Sequence, residues 1–410
     1  MSTLARTLLE ACLTGAPPEE LLSELTSEAL TEDPARSLSA SNAFFGTFVE
    51  GLSDAFEPRL SAIYAKLFSR VAATALEELD EDALWQRYQR VSRPRGPDAI
   101  PKDVRDVFVL SRITLGADVA VTSTVLDALK RRFPRARIVF VGPEKNWALF
   151  SGDPKLEHVL VEYPKQAALR ERLSIARVLQ SVLARPSAIV VDPDSRLTQL
   201  GVLPVCAEER YFFFDSRAYG GESDDSLYVL VRRWLSETFG VDGRPYIRPA
   251  GTAAPEEGRY GAVSLGVGGN QEKRIDDPFE VEFLKVLSGM RGSVLVDVGG
   301  GGEETERVEA AVSAAAGPAH DVRTWTGSFA DFATVIRESG WYAGYDSAGQ
   351  HVAAVCGIPA LTVFAGYPSE RMFHRWRPVG DGPREVVRVE DRDPESVLGK
   401  IAPAFRRLNG

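Results

Sequence analysis

Cysteine and histidine are scarce in this chain of 410 residues, which holds three cysteines, Cys12, Cys206 and Cys356, and four histidines, His158, His320, His351 and His374. The cysteines lie far apart, which excludes a disulfide framework and a CxxC redox or zinc pattern, and suits a reducing cytoplasm. The histidines form no HExxH and no pair at helical ligand spacing, so no metal is expected. Long apolar runs are missing too. Nothing approaches 18 apolar residues in succession, and Glu10 interrupts the stretch where a signal peptide needs continuity. The expectation is a soluble, cytoplasmic protein with no transmembrane segment, compatible with a peripheral position at the inner membrane face. Positive charge is in the minority, 48 Lys and Arg against 58 Asp and Glu, for a net charge of −10. A nucleic-acid partner is therefore not expected, because it needs clustered cations to replace phosphate counterions.

What is present describes an ordinary globular protein, 44% apolar and 26% charged, long enough for two or three domains. Residues 1 to about 91 carry helical periodicity, with Leu4, Leu8 and Leu9, then Leu21, Leu22 and Leu25, then Phe44, Phe45 and Phe48, and later Leu76, Leu79, Leu84 and Tyr88. Three prolines and a glycine between Ser92 and Pro101 mark a linker, with a boundary near residue 98. Beyond it, short apolar runs alternate with helical segments, the pattern of βαβ units around parallel sheets. Strands are expected at 107–110, 138–141 and 188–191 and, after a polar stretch from Arg248 to Tyr260, at 262–265, 293–298, 341–344 and 360–364. The fold class is α/β: two doubly wound, Rossmann-like halves behind an all-helical N-terminal extension, divided as 1–97, 98–252 and 253–410. Ligands of such halves bind at the carboxyl ends of the strands.

Four segments carry candidate chemistry. The most informative runs from Gly344 to Phe364: a strand ending at Asp346, Ser347 as helix cap, His351 one turn inside the helix, and Gly357 and Pro359 at its end. Free N–H groups and the positive end of the helix dipole suit a phosphate there, and Asp346 suits a sugar hydroxyl. Plain capping by Asp and Ser explains the same residues. In the second, Ser264 to Arg274, a strand leads into the glycine turn Gly268-Gly269-Asn270, and Lys273 and Arg274 supply positive charge; a tight turn with two solvated cations is the competing explanation. The third, Val296 to Glu306, is strand, glycine turn and helix, but the last glycine of GxGxxG is missing, which argues against NAD. Glu303 there either complements the helix dipole or holds hydroxyls. In the fourth, Asp118 follows the first strand, as a helix cap or as a cleft-facing general base.

Taken together and in this order, these segments resemble the heptosyltransferase-like glycosyltransferases, family nine, of the two-Rossmann GT-B fold. The run from Asp346 to Phe364 is similar to the family's Asp-Ser-Gly-x-x-His-x-Ala-Ala-x-x-Gly-x-Pro, with Ala348 where glycine is usual and Gly349 following. Trp325 to Ile336 looks like the segment that precedes it. The resemblance spans roughly 104 to 380, and residues 1 to 95 have no counterpart in ordinary members. It implies Asp118 as catalytic base, although Ala117 replaces the motif's glycine, with Gly116 one residue earlier, and Thr124 its proline. It also implies a donor site of Gly268, Gly269, Asn270, Lys273, Glu303 (or Glu304 if the register slips), Asp346, Ser347, Ala348, Gly349 and His351, in a second half whose last helix packs back on the first.

The implied reaction is metal-independent transfer of a heptose or related sugar, with inversion, from a nucleoside-diphosphate donor to an acceptor hydroxyl. An ADP-sugar is favoured as substrate, and no cofactor is needed. Candidate acceptor-side residues are Arg112, Asp192, Asp194 and Arg196, which surface solvation explains as well. The acceptor is a glycan, a lipid-linked glycan, a protein or a small molecule, and a homo-oligomer is left open. The N-terminal helices are expected to pack. The competing readings are a non-catalytic nucleotide-sugar-binding or partner-binding member of the same fold and, behind it, a nucleotide-sugar epimerase.

Overall fold

The computed structural model describes residues 1–15, 19–250 and 260–408. The chain opens with helices α1 (Ser2–Thr14), α2 (Glu19–Ala29), α3 (Pro34–Ala43), α4 (Glu50–Ser53), α5 (Pro58–Ala75) and α6 (Glu81–Val91), and a wide π turn, Phe44–Val49, joins α3 to α4. Their starts are encoded locally. Asp33 accepts from the N–H groups of Ala35 and Arg36, Asp80 accepts from Ala83, and Pro34 and Pro58 occupy first-turn positions that have no N–H to lose. Phe44 and Phe45 turn inward from the π turn onto Phe68 of α5, with centroids 6.0 and 6.2 Å away.

The first sheet is all parallel, in the order β3-β2-β1-β4-β5. Its strands are β1 (Asp106–Leu110), β2 (Arg137–Gly142), β3 (Leu156–Leu160), β4 (Ala188–Asp192) and β5 (Tyr211–Phe213), and its helices are α7 (Leu115–Ala117), α8 (Ser123–Arg132), α9 (Glu144–Trp147), α10 (Leu169–Leu183) and α11 (Leu227–Phe239). The second sheet is also parallel, in the order β11-β10-β9-β6-β7-β8. It comprises β6 (Gly261–Ser264), β7 (Val294–Asp297), β8 (Val322–Trp325), β9 (Trp341–Tyr345), β10 (Ala360–Phe364) and β11 (Arg384–Arg388), with α12 (Phe279–Arg291), α13 (Glu303–Ala315), α14 (Phe329–Glu338), α15 (Ala348–Val355), α16 (Glu370–Trp376) and α17 (Pro394–Arg407). In both sheets the order in which the chain adds strands reverses in the middle, between β1 and β4 and between β6 and β9. Those two switch points are where an open α/β sheet leaves a crevice.

The strands expected from apolar runs are the interior strands of the two sheets. The unexpected ones, β3, β5, β8 and β11, are the four edges. An interior parallel strand is buried on both faces and is apolar throughout, whereas the edges are mixed, as in Arg384-Glu-Val-Val-Arg388, or as short as Tyr211–Phe213.

Alternation along β1 divides the core. Val107 and Val109 join α8 and α11, while Phe108 and Leu110 join a cluster that runs without a break through α10 into α1–α6. The boundary near residue 98 thus separates helices from strands along the chain, but not two cores. Side chains tie the layers: the Tyr64 hydroxyl donates to the Gln199 carbonyl (3.0 Å), Arg87 to that of Gly201 (2.6 Å) and Tyr88 to the Asp215 carboxylate (2.7 Å). The boundary expected at 252/253 lies outside the described residues. One expectation is corrected: the last helix, α17, does not return to the first half but packs on α12 and β11 of the second, with Ile401 and Phe405 in that half's core. The element that crosses back is α16. Its buried Arg375 donates to the carbonyls of Ser223 (2.6 Å) and Asp225 (2.5 Å), and Arg371 donates to that of Gly221 (2.7 Å).

Candidate functional site

The carboxyl ends of β1 and β4 face those of β6 and β9 across a cleft of about 230 Å³. The loops approach closely because Gly116 has no side chain: a Cβ there would stand 3.1 Å from the His351 ring and 3.2 Å from the Ala348 Cα. A larger groove of about 440 Å³ between α2 and α5 lies away from both switch points.

On the second half's side, Lys273 reaches Asp346, its Nζ 2.7 Å from Oδ2 and 3.1 Å from the backbone carbonyl, and Gln350 donates to the other carboxylate oxygen. Ser347 stands at the N-cap of α15 but makes no capping bond; its Oγ lies 3.5 Å from the Tyr342 hydroxyl. Lys273, Asp346, Ser347, Ala348 and His351 line the cleft together. Burial depresses the His351 pKa to about 4 against the pull of Asp346, so at neutral pH the ring brings a hydrogen-bonding edge and no charge.

The glycine loop is more structural than expected. Gly268 takes a left-handed φ of 60°, and Asn270 caps the short turn that presents Lys273 while donating to the Gly366 carbonyl (3.2 Å). Glu303 is exposed at the head of α13, whereas Glu304 reaches the loop after β6 and accepts from the Val267 N–H at 3.2 Å. The carboxylate that meets the glycine loop is therefore Glu304 and not Glu303. Asp297, beside it, is raised to about 6 by burial.

Asp118 is fully enclosed and does not line the cleft. Its Oδ1 accepts from the Arg112 N–H (2.7 Å) and Thr122 (2.5 Å), and its Oδ2 from Ser111 (2.6 Å) and Asn146 (2.6 Å). Burial raises its pKa against these four donors. Asp192 is also turned inward, accepting from the Ser195 N–H (2.6 Å), Thr198 (2.5 Å) and Tyr211 (2.5 Å), with burial lifting it to about 6. Like Asp118, it does not line the cleft. Arg112, Asp194 and Arg196 do line the cleft. The Arg112 guanidinium donates to the Pro193 carbonyl (2.5 Å) and Ser216 (2.9 Å), and burial lowers its pKa only to about 10, so it stays a cation.

The cleft residues that were not anticipated include Asp54 from the N-terminal helices, Arg217 after β5, and Trp376 of α16. None belongs to a motif. They arrive through packing of distant segments, and only Trp376, shortly after the Asp346 to Phe364 run, was within reach of inspection. Among the described residues, no three His, Cys, Asp or Glu side chains cluster as a metal site, and no helix is long and apolar enough to cross a membrane.

No family model and no curated protein matches the chain. Solved structures do. The chain is similar to the Escherichia coli heptosyltransferase WaaC with ADP (TM-score 0.54, 14% identity, 74% of this chain and 100% of that one). It is similar to a glycosyl transferase family 9 protein from Veillonella parvula DSM 2008 (TM-score 0.55, 15% identity, 76% and 99%) and to the E. coli ADP-heptose lps heptosyltransferase II (0.50, 16%, 75% and 100%). At such identities the likeness is one of fold, and the fold is the two-domain GT-B arrangement. About a quarter of this chain lies outside it.

Proposed function

We propose that this protein is an inverting, metal-independent glycosyltransferase that moves a heptose or related sugar from a nucleoside-diphosphate donor, an ADP-sugar first, to an acceptor hydroxyl. The observation that carries the reading is the meeting of Lys273, Asp346 and the uncapped start of α15 with the Arg112 and Asp194 loops across one cleft, at both switch points. A departing diphosphate gathers negative charge, which the Lys273 ammonium and helix N–H groups are suited to stabilise. The neutral His351 adds a hydrogen bond, and closure of the halves through α16 excludes water that would hydrolyse the donor. The solved structures of similar fold include one with ADP and another described as an ADP-heptose transferase, which supports this choice of donor.

Asp118 is the proposed base. Its raised pKa suits a proton acceptor, and the reaction asks the acceptor hydroxyl to replace one of four donors. The enclosure of Asp118 is also what favours a second reading, a non-catalytic member that binds a nucleotide sugar. Asp118→Asn separates the two. Under the first it removes transfer and spares donor binding, and under the second there is no transfer to remove.

The donor site is tested by thermal stabilisation with a panel of nucleoside diphosphates and nucleotide sugars. A ligand at a hundred times its Kd adds about 2.7 kcal/mol. One nucleotide should stand out, and Lys273→Ala should weaken it at least about tenfold, the measure of one charge-assisted contact. A flat response across the panel rejects the proposal.

A further inference from the structure

Away from Lys273 and Asp346, the cleft has a second half whose chemistry donor binding does not use. Arg112, Arg196, Arg217, Asp194 and Asp54 line it. Each guanidinium there meets a carboxylate. Arg217 donates to Asp194 and lies 3.7 Å from Asp54, Arg112 lies 3.8 Å from Asp194, and Arg196 lies 3.2 Å from Glu50. Three cations thus face three anions. Behind this wall, Lys165 and Arg172 also act on Glu50, while Asp192 is held by Thr198 and Tyr211, and Asp215 by Tyr88. Two of the three balancing carboxylates, Glu50 and Asp54, belong to the N-terminal helical segment. Without them the same wall would present three cations to one anion, and unpaired guanidinium groups recognise phosphate and carboxylate bidentately.

The segment is fixed in this position by contacts with both halves. Phe56 holds a left-handed φ of 56°, which a residue with a Cβ keeps only where its surroundings enforce it. Its ring meets Trp376 edge-on at 6.2 Å and lies under the Arg217 guanidinium at 5.9 Å, while the Ala55 carbonyl accepts from the Ser369 hydroxyl at 3.2 Å.

Two buried polar atoms in the wall have no partner, Asp194 Oδ1 and Arg217 Nε, on residues only 2% and 7% exposed. A carboxylate oxygen and a guanidinium N–H left open in one ion pair match a hydroxyl, which donates to the first and accepts from the second. The half-buried Trp376 indole borders the same space, with the Arg112 guanidinium over its ring at 5.7 Å, and adds apolar surface to a wall otherwise made of charged groups.

We infer that this half of the cleft is a subsite for a neutral, hydroxyl-rich sugar, and that Asp54 and Glu50 of the N-terminal segment set this selectivity by cancelling charge that would draw an anionic acceptor. That the bound sugar is the acceptor rests on the glycosyl-transfer reading; the charge balance stands on the geometry alone.

The test fills the donor half with whichever nucleoside diphosphate stabilises the protein most. Glucose, mannose and maltose are then titrated against glucose 6-phosphate and mannose 6-phosphate by calorimetry, with the parent and with the Glu50→Gln/Asp54→Asn double variant. The parent should bind a neutral sugar at least about tenfold tighter than its phosphate, and the double variant should reverse that order. The inference is overturned by a parent that prefers the phosphates, by one that binds no neutral sugar at about 100 mM, far above ordinary substrate levels, or by a double variant with parent-like circular dichroism and no gain for the phosphates. If no nucleoside diphosphate binds, the same titrations on the free protein decide it: a neutral preference with the charge reversal keeps the subsite and removes the donor reading.

Discussion

At the residue scale the enclosed Asp118 is the sharpest case. Four donors, from Ser111, Arg112, Thr122 and Asn146, converge on its two oxygens, so the carboxylate holds the loop after β1 in shape whatever else it does. Asp118→Ala leaves those donors buried and unpaired. It should cost on the order of 3 kcal/mol in urea unfolding, several unsatisfied groups sharing one relaxed site. A loss below about 1 kcal/mol would mean that the network is looser than its geometry. His351 makes a prediction of definite sign. Its folded pKa of about 4 lies below the ordinary value of 6.5, so between these values the unfolded chain binds a proton that the folded one does not. Stability from this group is therefore complete above about 6.5 and is lost as pH falls toward 4, an effect on the order of 3 kcal/mol. Asp192, Asp215 and Asp297, all raised to about 6 by burial, act in the opposite direction over much of that window. The measurement is accordingly a difference: His351→Asn should flatten the acid side of the stability profile relative to the parent, and parallel profiles would contradict the buried neutral ring.

At the scale of elements, the meeting of the β1 loop with the start of α15 decides how closely the two halves approach. Gly116 makes it possible, since the Ala348 backbone stands where a side chain would go. Gly116→Val should lower stability by about 1–3 kcal/mol, as overpacking does, and weaken nucleoside-diphosphate binding, because α15 can move only by carrying Ser347 and His351 with it. Unchanged binding in equilibrium titration would separate this contact from the donor site. The same scale explains which strands were legible. Val107 to Leu110 and Ala360 to Phe364 are interior and buried on both faces, so their composition alone marks them. Leu156-Glu-His-Val-Leu160 sits at an edge, with Glu157 and Leu160 exposed, and reads like loop until the sheet claims it.

At the scale of the molecule, the N-terminal helices are part of the first half's core and of the cleft wall at once. Phe44, Phe48 and Leu52 share one cluster with Phe108, Leu110, Val139 and Val141 of the first sheet, and Asp54 follows directly into the cleft. A chain lacking residues 1–91 should therefore not behave as an intact two-domain protein. It should bind a hydrophobic dye and sediment as aggregates, since removing the helices bares a continuous apolar face. A monodisperse, cooperatively unfolding truncated chain would show that α10 alone can cover that side.

The amino-acid sequence determined the parts whose signal is local: interior strands from unbroken apolar runs, the change from helices to alternating strands and helices after three prolines and a glycine, and the strand-turn-helix run that places Asp346, Ser347 and His351 together. Burial on both faces and the fixed backbone demands of Gly and Pro leave their mark on the residues themselves. Tertiary structure alone decided the rest. It turned Asp118 and Asp192 inward, set Glu304 rather than Glu303 at the loop after β6, kept α17 on its own half, and brought Asp54, Arg217 and Trp376 to one cleft from segments more than a hundred residues apart. Such outcomes depend on which distant side chains meet and how their charges balance, and neither periodicity nor composition along one chain carries that information.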